Sequence, residues 1–488
     1  MTATLSSPLA ISALVHFAAV AAIVVRVIMM RPAPGVAFAW LFLVVALPVF
    51  GVIAYLLIGE RRIGSVRSKR FRRLLDPSAR KERERLVEGA PGVEPNERRQ
   101  AAAGLDRLGR ALVGSAALGG NRIRLDDDTL EILEALARDV DEAGTGVLMA
   151  FYIWHPGGAA DRVLESLMRA GRRGVVCRIL VDAIGSRPWL ATDQPARLRE
   201  AGVEVRVALP TGPLRAFFSR AGLRLHRKIV VVDGRIAWTG SMNLVDPRYF
   251  KQDAGVGQWV DAMVRLEGPA VAALGATVLE DWLLETGTSF ERLADSAGLE
   301  RVSPRGAAGI QVVTSGPGQS GDALLQMLLE LIYAARTELV LTTPYLVPDD
   351  ALLRALRGAA GRGVRVVMIL PERVDSLLAR YASRSYYEEL LDSGIEILLY
   401  RSGLLHTKSI TVDSQMSMFG SVNLDMRSLW LNYEVALFVY DAAFTAELRA
   451  LQERYASDCA RVDASLWSNR PASRRVLENI SRLLGPVL

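Results

Sequence analysis

The sequence predicts an α/β protein in which two similar halves form one body, preceded by two membrane-spanning helices. Two long apolar stretches, uncharged except for Arg26 in the first, open the chain, the same order of strand-like and helix-like segments occurs twice beyond residue 110, and one polar motif also occurs twice. Alternating strands and helices predict α/β layers, and an internal repeat predicts paired domains. We expect a hairpin over residues 1–60, a basic segment and linker over 61–110, and domains over 111–300 and 301–488.

The composition allows a membrane anchor attached to a folded body. The chain has 488 residues, of which 50% are hydrophobic, and a formal net charge of +6. This modest basic bias suits an anionic partner, either acidic lipid or nucleic acid. The two cysteines, Cys177 and Cys459, are far apart, so neither a zinc site nor a disulfide framework can be inferred. Of the four histidines, two lie inside the repeated motif.

The two apolar stretches at the N-terminus predict a transmembrane hairpin. The first extends from Leu9 to Met30 and the second from Val36 to Ile58, where Pro48 interrupts it. A bilayer core of about 30 Å requires about 20 such residues in a helix. A cleaved signal peptide is the competing interpretation of the first stretch. It is less favoured because no basic residues precede the stretch and a second one follows at once.

A run of basic residues follows the second stretch: Arg61, Arg62, Arg67, Lys69, Arg70, Arg72 and Arg73, without an acidic residue among them. The positive-inside rule places this run, and with it the body, in the cytoplasm. The run could also bind anionic head groups, at about 1 kcal/mol per charge near the surface. Residues 75–104, poor in large apolar side chains, are predicted to form a linker or a frayed helix.

The repeat is visible as strand, helix and strand in each half. In the first half these are residues 147–153, 161–170 and 175–181, and in the second half 339–345, 350–359 and 364–370. A further helix then ends at a glycine, Gly202 or Gly394, before the next strand. The first half carries an insertion near Pro210 to Gly222, either the border of a lipid entrance or a plain surface loop.

The motif itself has identical spacing in both copies. The first copy contains His226, Lys228, Asp233, Gly240, Ser241 and Asn243, and the second contains His406, Lys408, Asp413, Gly420, Ser421 and Asn423. Residues two apart in a strand share a face, so each His–Lys pair is expected to point into a common pocket. The aspartates end the strands at turns. Turn formation or structural ion pairing competes there with a direct catalytic role.

The residue types suit metal-free cleavage of a phosphodiester. Two lysines, with the serines and asparagines that follow, could surround one phosphate with charge and hydrogen-bond donors. One neutral histidine would attack phosphorus, and the other would carry the proton of the alcohol. The residues alone leave these two roles nearly symmetric. Asp261 and Glu434, on matching strands of the two halves, are candidates to orient the imidazoles, although both could be ordinary strand-end charges.

Several short strings accompany the motif: Phe151-Tyr-Ile, Asp182 with Gly185-Ser186, Trp259-x-Asp261, Thr343-Pro-Tyr-Leu-Val-Pro348, Asn423-Leu-Asp-x-Arg427 and Asn432-Tyr-Glu434. Together with the paired motif they resemble the phospholipase D superfamily and, within it, the bacterial cardiolipin synthases. The resemblance covers nearly the whole chain. It implies two phospholipase D-like α-β-α sandwich halves forming one pseudo-twofold catalytic body in a multi-pass protein of the inner (plasma) membrane.

The resemblance also implies the reaction. Such enzymes transfer a phosphatidyl group between two phosphatidylglycerol molecules, giving cardiolipin and glycerol through a phosphohistidine, without a metal cofactor. It implies that His226 is the nucleophile and His406 the general acid and base. The chain departs from the family pattern at Trp154-His-Pro-Gly and at Gly240-Ser241, where such synthases often have Gly-Gly. These departures concern the choice of donor and acceptor lipid.

Three alternatives remain at this stage. A hydrolytic phospholipase D would use water in the second step, and a nuclease would act on nucleic acid, although a nuclease has no need of a membrane hairpin. A non-catalytic lipid-binding protein would be expected to lose a histidine or lysine from one copy, and neither copy has lost one. We therefore expect anionic phospholipid, rather than nucleic acid, as the partner.

Overall fold

A computed structural model describes residues 8–32, 34–47, 49–59, 64–93, 100–210, 222–318 and 321–485. Most of the insertion (211–221) and two of the predicted basic residues (Arg61 and Arg62) lie outside the described residues. The chain separates into two compact units, an N-terminal unit that extends to Ser68 and a body that begins at Lys69.

The N-terminal unit contains one long apolar helix, α1 (Pro8–Met30). It is the one helix among the described residues that is long and apolar enough to cross a membrane. The second predicted span is divided into α2 (Pro34–Ala46), α3 (Phe50–Ala54) and a π-helical turn (Tyr55–Gly59).

The first predicted stretch therefore forms a helix long and apolar enough to cross a membrane, whereas the second does not form one helix of that length. At 1.5 Å per residue the 13 residues of α2 extend about 20 Å, less than a bilayer core. The sequence has a proline at position 48, which cannot donate the helical hydrogen bond, and the next residue, Val49, has a φ of 68°. Ile23, Val27, Val44 and Tyr55 nevertheless form a small apolar core within this unit.

The predicted linker is more ordered than its composition indicates. It contains α4 (Ser65–Leu74), α5 (Pro77–Val87) and the start of α6 (Gln100–Val113). Arg83 on α5 forms an ion pair of 2.8 Å with Glu280, and Leu86 packs against the core of the body. These tertiary contacts supply the order that the local sequence lacks.

Nineteen strands occur in the part of the chain that the structure describes: β1 (Leu118–Asp126), β2 (Gly146–Phe151), β3 (Val176–Asp182), β4 (Glu204–Ala208), β5 (Lys228–Val232), β6 (Ile236–Gly240), β7 (Trp259–Val260), β8 (Met263–Glu267), β9 (Ala308–Ser315), β10 (Glu338–Thr342), β11 (Leu346–Val347), β12 (Arg365–Pro371), β13 (Glu396–Tyr400), β14 (Leu404–Leu405), β15 (Ser409–Val412), β16 (Met416–Gly420), β17 (Leu424–Asp425), β18 (Glu434–Val439) and β19 (Cys459–Arg461).

Fifteen of these strands form one continuous sheet in the order β19-β13-β12-β10-β15-β16-β18-β9-β1-β8-β6-β5-β2-β3-β4. Counting outward from the antiparallel β1–β9 pair, the strands of the two halves correspond one to one, apart from the additional edge strand β19. The sheet is mixed, since β2–β3–β4 and β10–β12–β13 are parallel and the neighbouring pairs are antiparallel. The repeat predicted from sequence is thus one sheet that crosses both halves.

The remaining helices are α7 (Thr129–Asp141), α8 (Ala160–Arg172), α9 (Arg187–Leu190), α10 (Gln194–Glu200), α11 (Ala270–Thr286), α12 (Phe290–Ser296), α13 (Ala323–Ala334), α14 (Asp350–Gly361), α15 (Leu377–Arg384), α16 (Tyr387–Asp392), α17 (Met426–Trp430), α18 (Ala442–Ser457), α19 (Ala464–Ser468) and α20 (Ala472–Leu483). The predicted glycine ends are confirmed: Gly202 and Gly394 follow α10 and α16 with φ of 89° and 82°.

Helices cover both faces of the sheet. On β2, Val147 and Met149 pack with residues of α7 and α8, whereas Leu148 and Ala150 face the opposite core, which includes α11. This alternation is the period of two expected for a strand that is buried on both faces. The result is a layered α/β body in which both motif strands, β5 and β15, are central and fully buried.

Candidate active site

Each histidine segment pairs with a segment from the other half of the body. Leu225 forms a parallel bridge with Tyr433, and the His226 amide donates to the Tyr433 carbonyl at 2.9 Å. In the second half β14 pairs with β7, and the His406 amide donates to the Val260 carbonyl at 2.8 Å. Because an acidic residue follows each partner segment, this backbone pairing brings each histidine beside a carboxylate of the other half.

Side-chain contacts also connect each histidine to the other half. His226 Nδ1 lies 2.9 Å from Glu434 Oε2, and His406 Nδ1 lies 2.7 Å from Asp261 Oδ1. All four side chains are buried. An ionised carboxylate only accepts hydrogen bonds, so each Nδ1 carries the proton and each Nε2 keeps its lone pair. Each candidate orienting carboxylate therefore contacts the histidine of the other half.

The two motif serines contact the carboxylates. Ser241 Oγ donates to Asp261 Oδ1 at 2.6 Å and accepts from the Ala262 amide. Ser421 Oγ donates to Glu434 Oε2 at 2.5 Å and accepts from the Val435 amide. A hydroxyl has one hydrogen to donate. In this arrangement it is used to hold the carboxylate, so the structure does not place these serines as the phosphate donors that we expected.

Both motif lysines are fully buried beside the histidines. Lys228 Nζ donates to the His226 carbonyl at 2.6 Å and lies 5.4 Å from the centre of the Tyr152 ring, and Lys408 Nζ donates to the His406 carbonyl. Burial lowers the pKa of Lys228 to about 8 and that of Lys408 well below its usual value. These cations can be neutralised by an anion that enters between them.

Burial keeps both histidines neutral near pH 7. Loss of water around the imidazolium lowers the pKa of both His226 and His406 to about 4, despite the attraction of the partner carboxylates. Burial alone would raise the pKa of Glu434 and Asp261, but the paired histidine, the neighbouring lysine and the hydrogen bond from the motif serine stabilise each carboxylate and leave its pKa below the usual value. Each histidine is also influenced by the lysine of the other half, which indicates one shared pocket.

The asparagines of the motif lie next to this pocket. Asn243 is buried, and its Oδ1 accepts from the Ile153 amide at 3.1 Å. Asn423 is buried as well, and its side chain hydrogen-bonds to Asp425, which opens α17. These contacts fix the asparagines, and their expected role as phosphate donors stays a prediction.

The motif aspartates lie elsewhere. The Asp233 carboxylate accepts from the backbone amides of residues 144–146, at 2.7 to 2.9 Å for the shortest contact to each. Asp413 accepts in the same way from the amides of residues 336–338, each at 2.8 Å. Each aspartate follows its lysine by five strand residues, a distance of about 16 Å. The structure does not bring them to the histidines, and their contacts are those of turn-forming residues.

Several neighbours were not assigned a role from sequence. The Tyr152 ring lies 5.0 Å from His226, and the Trp259 ring lies 4.3 Å from His406. Lys251 and Asp375 form an ion pair of 2.9 Å between the two halves. Tyr345 Oη donates to the same Asp375 at 2.6 Å. Tyr152, Trp259 and Tyr345 lie within strings quoted above, which was the available signal.

The two remaining histidines are separate from the pairs. His155 is half-buried, its ring 5.2 Å from Phe250, and His16 lies on α1 beside Phe17. Among the described residues no group of three or more His, Cys, Asp or Glu side chains could hold a metal ion.

Comparison with known proteins gives the class first. The family described as "Cardiolipin synthase, PLD-like domain" matches residues 136–272 and 328–455, and the family "Phospholipase_D-nuclease N-terminal" matches residues 18–60. In solved structures the fold matches phosphatidylserine synthase of Haemophilus influenzae with a TM-score of 0.60, at 14% identity, over 80% of this chain and 100% of that one.

Curated relatives extend over nearly the full length. Cardiolipin synthase A of Yersinia pseudotuberculosis is 43% identical over 469 residues, 96% of each chain. Cardiolipin synthase A of Salmonella arizonae is 43% identical over 473 residues, 97% of each chain. The chain belongs to the cardiolipin synthase family of the phospholipase D superfamily.

Proposed function

We propose that this chain joins two phosphatidylglycerol molecules into cardiolipin and releases glycerol, through a phosphohistidine on His226. The observation that carries the proposal is the pair of crossed His–carboxylate contacts, His226 with Glu434 and His406 with Asp261. They direct two Nε2 atoms, one from each half, toward one buried pocket that also holds two lysines. A displacement at phosphorus needs a nucleophile and a proton donor, and this arrangement supplies both.

The first step breaks the bond between phosphorus and the glycerol head group. Neutral His226 attacks phosphorus through Nε2, while its Nδ1 proton stays on the hydrogen bond to Glu434. The glycerol oxygen leaves with a proton from His406 Nε2. The anionic phosphate, on entering the pocket, raises the pKa of His406, so that its Nε2 takes up a proton from solvent and can then donate it to the glycerol oxygen. Lys228 and Lys408 balance the charge that develops on the phosphoryl oxygens.

The second step rebuilds a phosphodiester. His406, now neutral, accepts the proton of the glycerol hydroxyl of a second phosphatidylglycerol. The resulting oxygen nucleophile attacks phosphorus, the P–N bond breaks, and cardiolipin leaves while His226 returns to its neutral form. Asp261 and Glu434 keep the imidazoles aligned through both steps, and Ser241 and Ser421 hold these carboxylates in place.

The membrane setting belongs to the same proposal. The 23-residue apolar helix α1 supports a membrane anchor. The apolar helical segments α2 and α3 could return the chain across the bilayer as a kinked span. The basic residues that follow, including Lys69 and Arg70, favour a cytoplasmic body at the inner membrane. An anchored enzyme meets phosphatidylglycerol within the plane of the bilayer.

The experiment is lipid mass spectrometry on the purified full-length protein in phosphatidylglycerol vesicles. We expect cardiolipin and free glycerol in equal amounts. Phosphatidic acid as the main product would show that the protein is a hydrolase rather than a synthase.

Two variants test the shared site in the same assay. His226→Ala and His406→Ala should each lose all product, whereas His16→Ala, on α1, should retain it. Substantial cardiolipin from either of the first two variants would contradict a single pocket built from both halves.

A further inference from the structure

Helix α20 has a polar buried face and an aliphatic exposed face, the reverse of the usual arrangement. Its buried positions are polar: Glu478 is only 1% exposed and lies 3.1 Å from Arg384 and 2.9 Å from Arg470, and Ser481 is also buried. In a helix of a soluble protein the apolar face is the buried one. Here the buried face is polar and is attached to the body by ion pairs. Burial of apolar side chains therefore does not account for how this helix is held.

The outward face of α20 is aliphatic. Its members are Val476, Leu477, Ile480, Leu483 and Leu484, between 43% and 79% exposed. We name this set the α20 stripe. The spacing of i, i+4 and i+7 from Val476 places the set along one side of the helix. An aliphatic surface of this kind on a folded chain marks a contact with something apolar.

One more leucine is exposed on a helix that packs against α20: Leu377, 67% exposed at the start of α15. Three arginines lie on α20 itself. Arg475 forms an ion pair of 3.4 Å with Glu388, and Arg482 lies 3.7 Å from Glu389, whereas Arg474 is exposed. An aliphatic surface beside an exposed arginine matches the interior and the head groups of an anionic bilayer.

The α20 stripe is also close to the candidate active site. Gly485, just after α20, lies against Val347 and Met426. These residues belong to β11 and α17, and β11 pairs with β17 directly after Asn423. In the same region α15 begins two residues after Asp375. The ion-pair partner of Asp375, Lys251, lies 5.5 Å from the centre of the Trp259 ring, which contacts His406.

We propose that the α20 stripe lies in the interfacial layer of a bilayer containing anionic phospholipid, and that this contact presents the His406 side of the pocket to its lipid substrate. The inference rests on the proposed function, which makes anionic lipid the substrate, and it adds the surface of the body through which that lipid is met.

A second copy of the chain is the main competing occupant. The proposed substrate favours the bilayer, because an enzyme that takes phosphatidylglycerol from a membrane needs a surface of its body against that membrane. The end of the stripe lies beside Val347 and Met426, near the pocket. The exposed Arg474 on the same helix adds a positive charge that suits anionic head groups.

The test is depth-dependent quenching on the full-length enzyme. Cys177 and Cys459 are first replaced, by Ala and Ser, and a single cysteine is introduced as Ile480→Cys or, for comparison on the same helix away from the centre of the stripe, Arg474→Cys. Each is labelled with an environment-sensitive fluorophore and reconstituted in phosphatidylglycerol–phosphatidylcholine vesicles. We expect the label at 480 to be quenched by spin-labelled lipid and protected from iodide, and the label at 474 to behave in the opposite way.

Three outcomes would overturn the proposal. Full quenching at 480 by iodide would make the stripe a water-exposed surface. Protection from both quenchers, with a dimer by cross-linking, would assign the stripe to a second copy. Equal lipid quenching at 480 and 474 would mean that depth is set by the N-terminal anchor alone. None of these readouts needs turnover, so failure here is distinct from failure of the synthase assignment.

Activity gives a second readout. The double substitution Ile480→Ser and Leu483→Ser, which removes only exposed side chains, should reduce turnover of phosphatidylglycerol vesicles at least about fivefold. Its turnover of short-chain phosphatidylglycerol below the micelle concentration should stay within about twofold of the parent enzyme. Unchanged turnover of vesicles by this variant would contradict the proposal.

Discussion

Glu434, which begins β18 in the second half, holds His226 of the first half through a hydrogen bond of 2.9 Å. The same Oε2 atom also accepts a hydrogen bond from Ser421 Oγ, and the other carboxylate oxygen, Oε1, accepts one from Asn432. Orientation of the proposed nucleophile is therefore controlled from a position 208 residues away in the chain. Neither half contains a complete His–carboxylate pair by itself.

Glu434→Gln should reduce kcat by about 100- to 10,000-fold with little change in KM. The amide retains the shape of the side chain but lacks the charge that fixes the Nδ1 proton and stabilises a positive imidazole. Asp261→Asn should have a similar effect through His406. Steady-state assays on phosphatidylglycerol vesicles check both, and Glu142→Gln, on an exposed loop, serves as the control. A loss below tenfold would argue against an orienting role.

The roles of His226 and His406 should become distinguishable with a substrate whose leaving group needs no proton. With phosphatidyl-p-nitrophenol, His406→Ala should release about one equivalent of p-nitrophenolate per site in a burst, because His226 still attacks phosphorus. His226→Ala should give no burst. Stopped-flow absorbance measures both.

The same substrate tests the crossed contacts. Glu434→Gln should lose the burst along with His226→Ala, whereas Asp261→Asn should retain it along with His406→Ala. Contacts made within each half would give the reverse assignment of the two carboxylates.

Binding of a phosphodiester should take up a proton. Burial holds the pKa of His406 near 4, so its imidazole is neutral at pH 7, and the arriving anion raises that pKa. Because the complex binds one more proton than the free protein, affinity should increase as pH falls from 7 toward 5, by at most about tenfold per pH unit.

Calorimetry in buffers of different ionisation enthalpy measures this uptake. His226→Ala with short-chain phosphatidylglycerol allows binding without turnover, and adding His406→Ala should abolish most of the uptake. Affinity that is independent of pH between 5 and 7 would mean that His406 does not change protonation on binding.

Asp413→Ala should affect stability rather than chemistry. The carboxylate accepts three backbone amides and the Thr337 hydroxyl at the end of β15, away from the histidines. Hydrogen bonds to a charged group contribute about 1.5–3 kcal/mol, so we expect a loss of about 2 kcal/mol or more in unfolding free energy. Below the unfolding temperature kcat should stay within about threefold. Thermal unfolding monitored with parallel assays checks this, and a 100-fold loss of kcat at unchanged stability would make Asp413 catalytic.

The sequence predicted the local structure of the body well. Strand β2, helix α8 and strand β3, with their counterparts β10, α14 and β12, lie within a few residues of their expected positions. This success has a physical basis, because apolar periodicity and glycine at helix ends act over short distances. The same local logic placed His226 and Lys228 together in the pocket.

Contacts between residues far apart in the sequence were harder to predict. Strand periodicity gives the face of Glu434, but not that Tyr433 would pair with Leu225 in the other half. The contacts of Ser241 with Asp261 and of Ser421 with Glu434 lie within one half each, but they join neighbouring strands, and the spacing of the motif does not give that pairing. The second predicted span is not one long helix for a different reason. A count of apolar residues does not take into account that a proline can divide a helix into shorter segments.

The β1–β9 pair at the centre of the sheet joins two halves that a ribosome makes one after the other. Until β9 has been synthesised, the edge of β1 that pairs with it presents unpaired backbone groups. When β9 is complete, His226 is present but Glu434 is still more than 100 residues from being translated. The proposed site can therefore form only after most of the polypeptide has been made, and a chain that ends before Glu434 would lack the contact that holds His226.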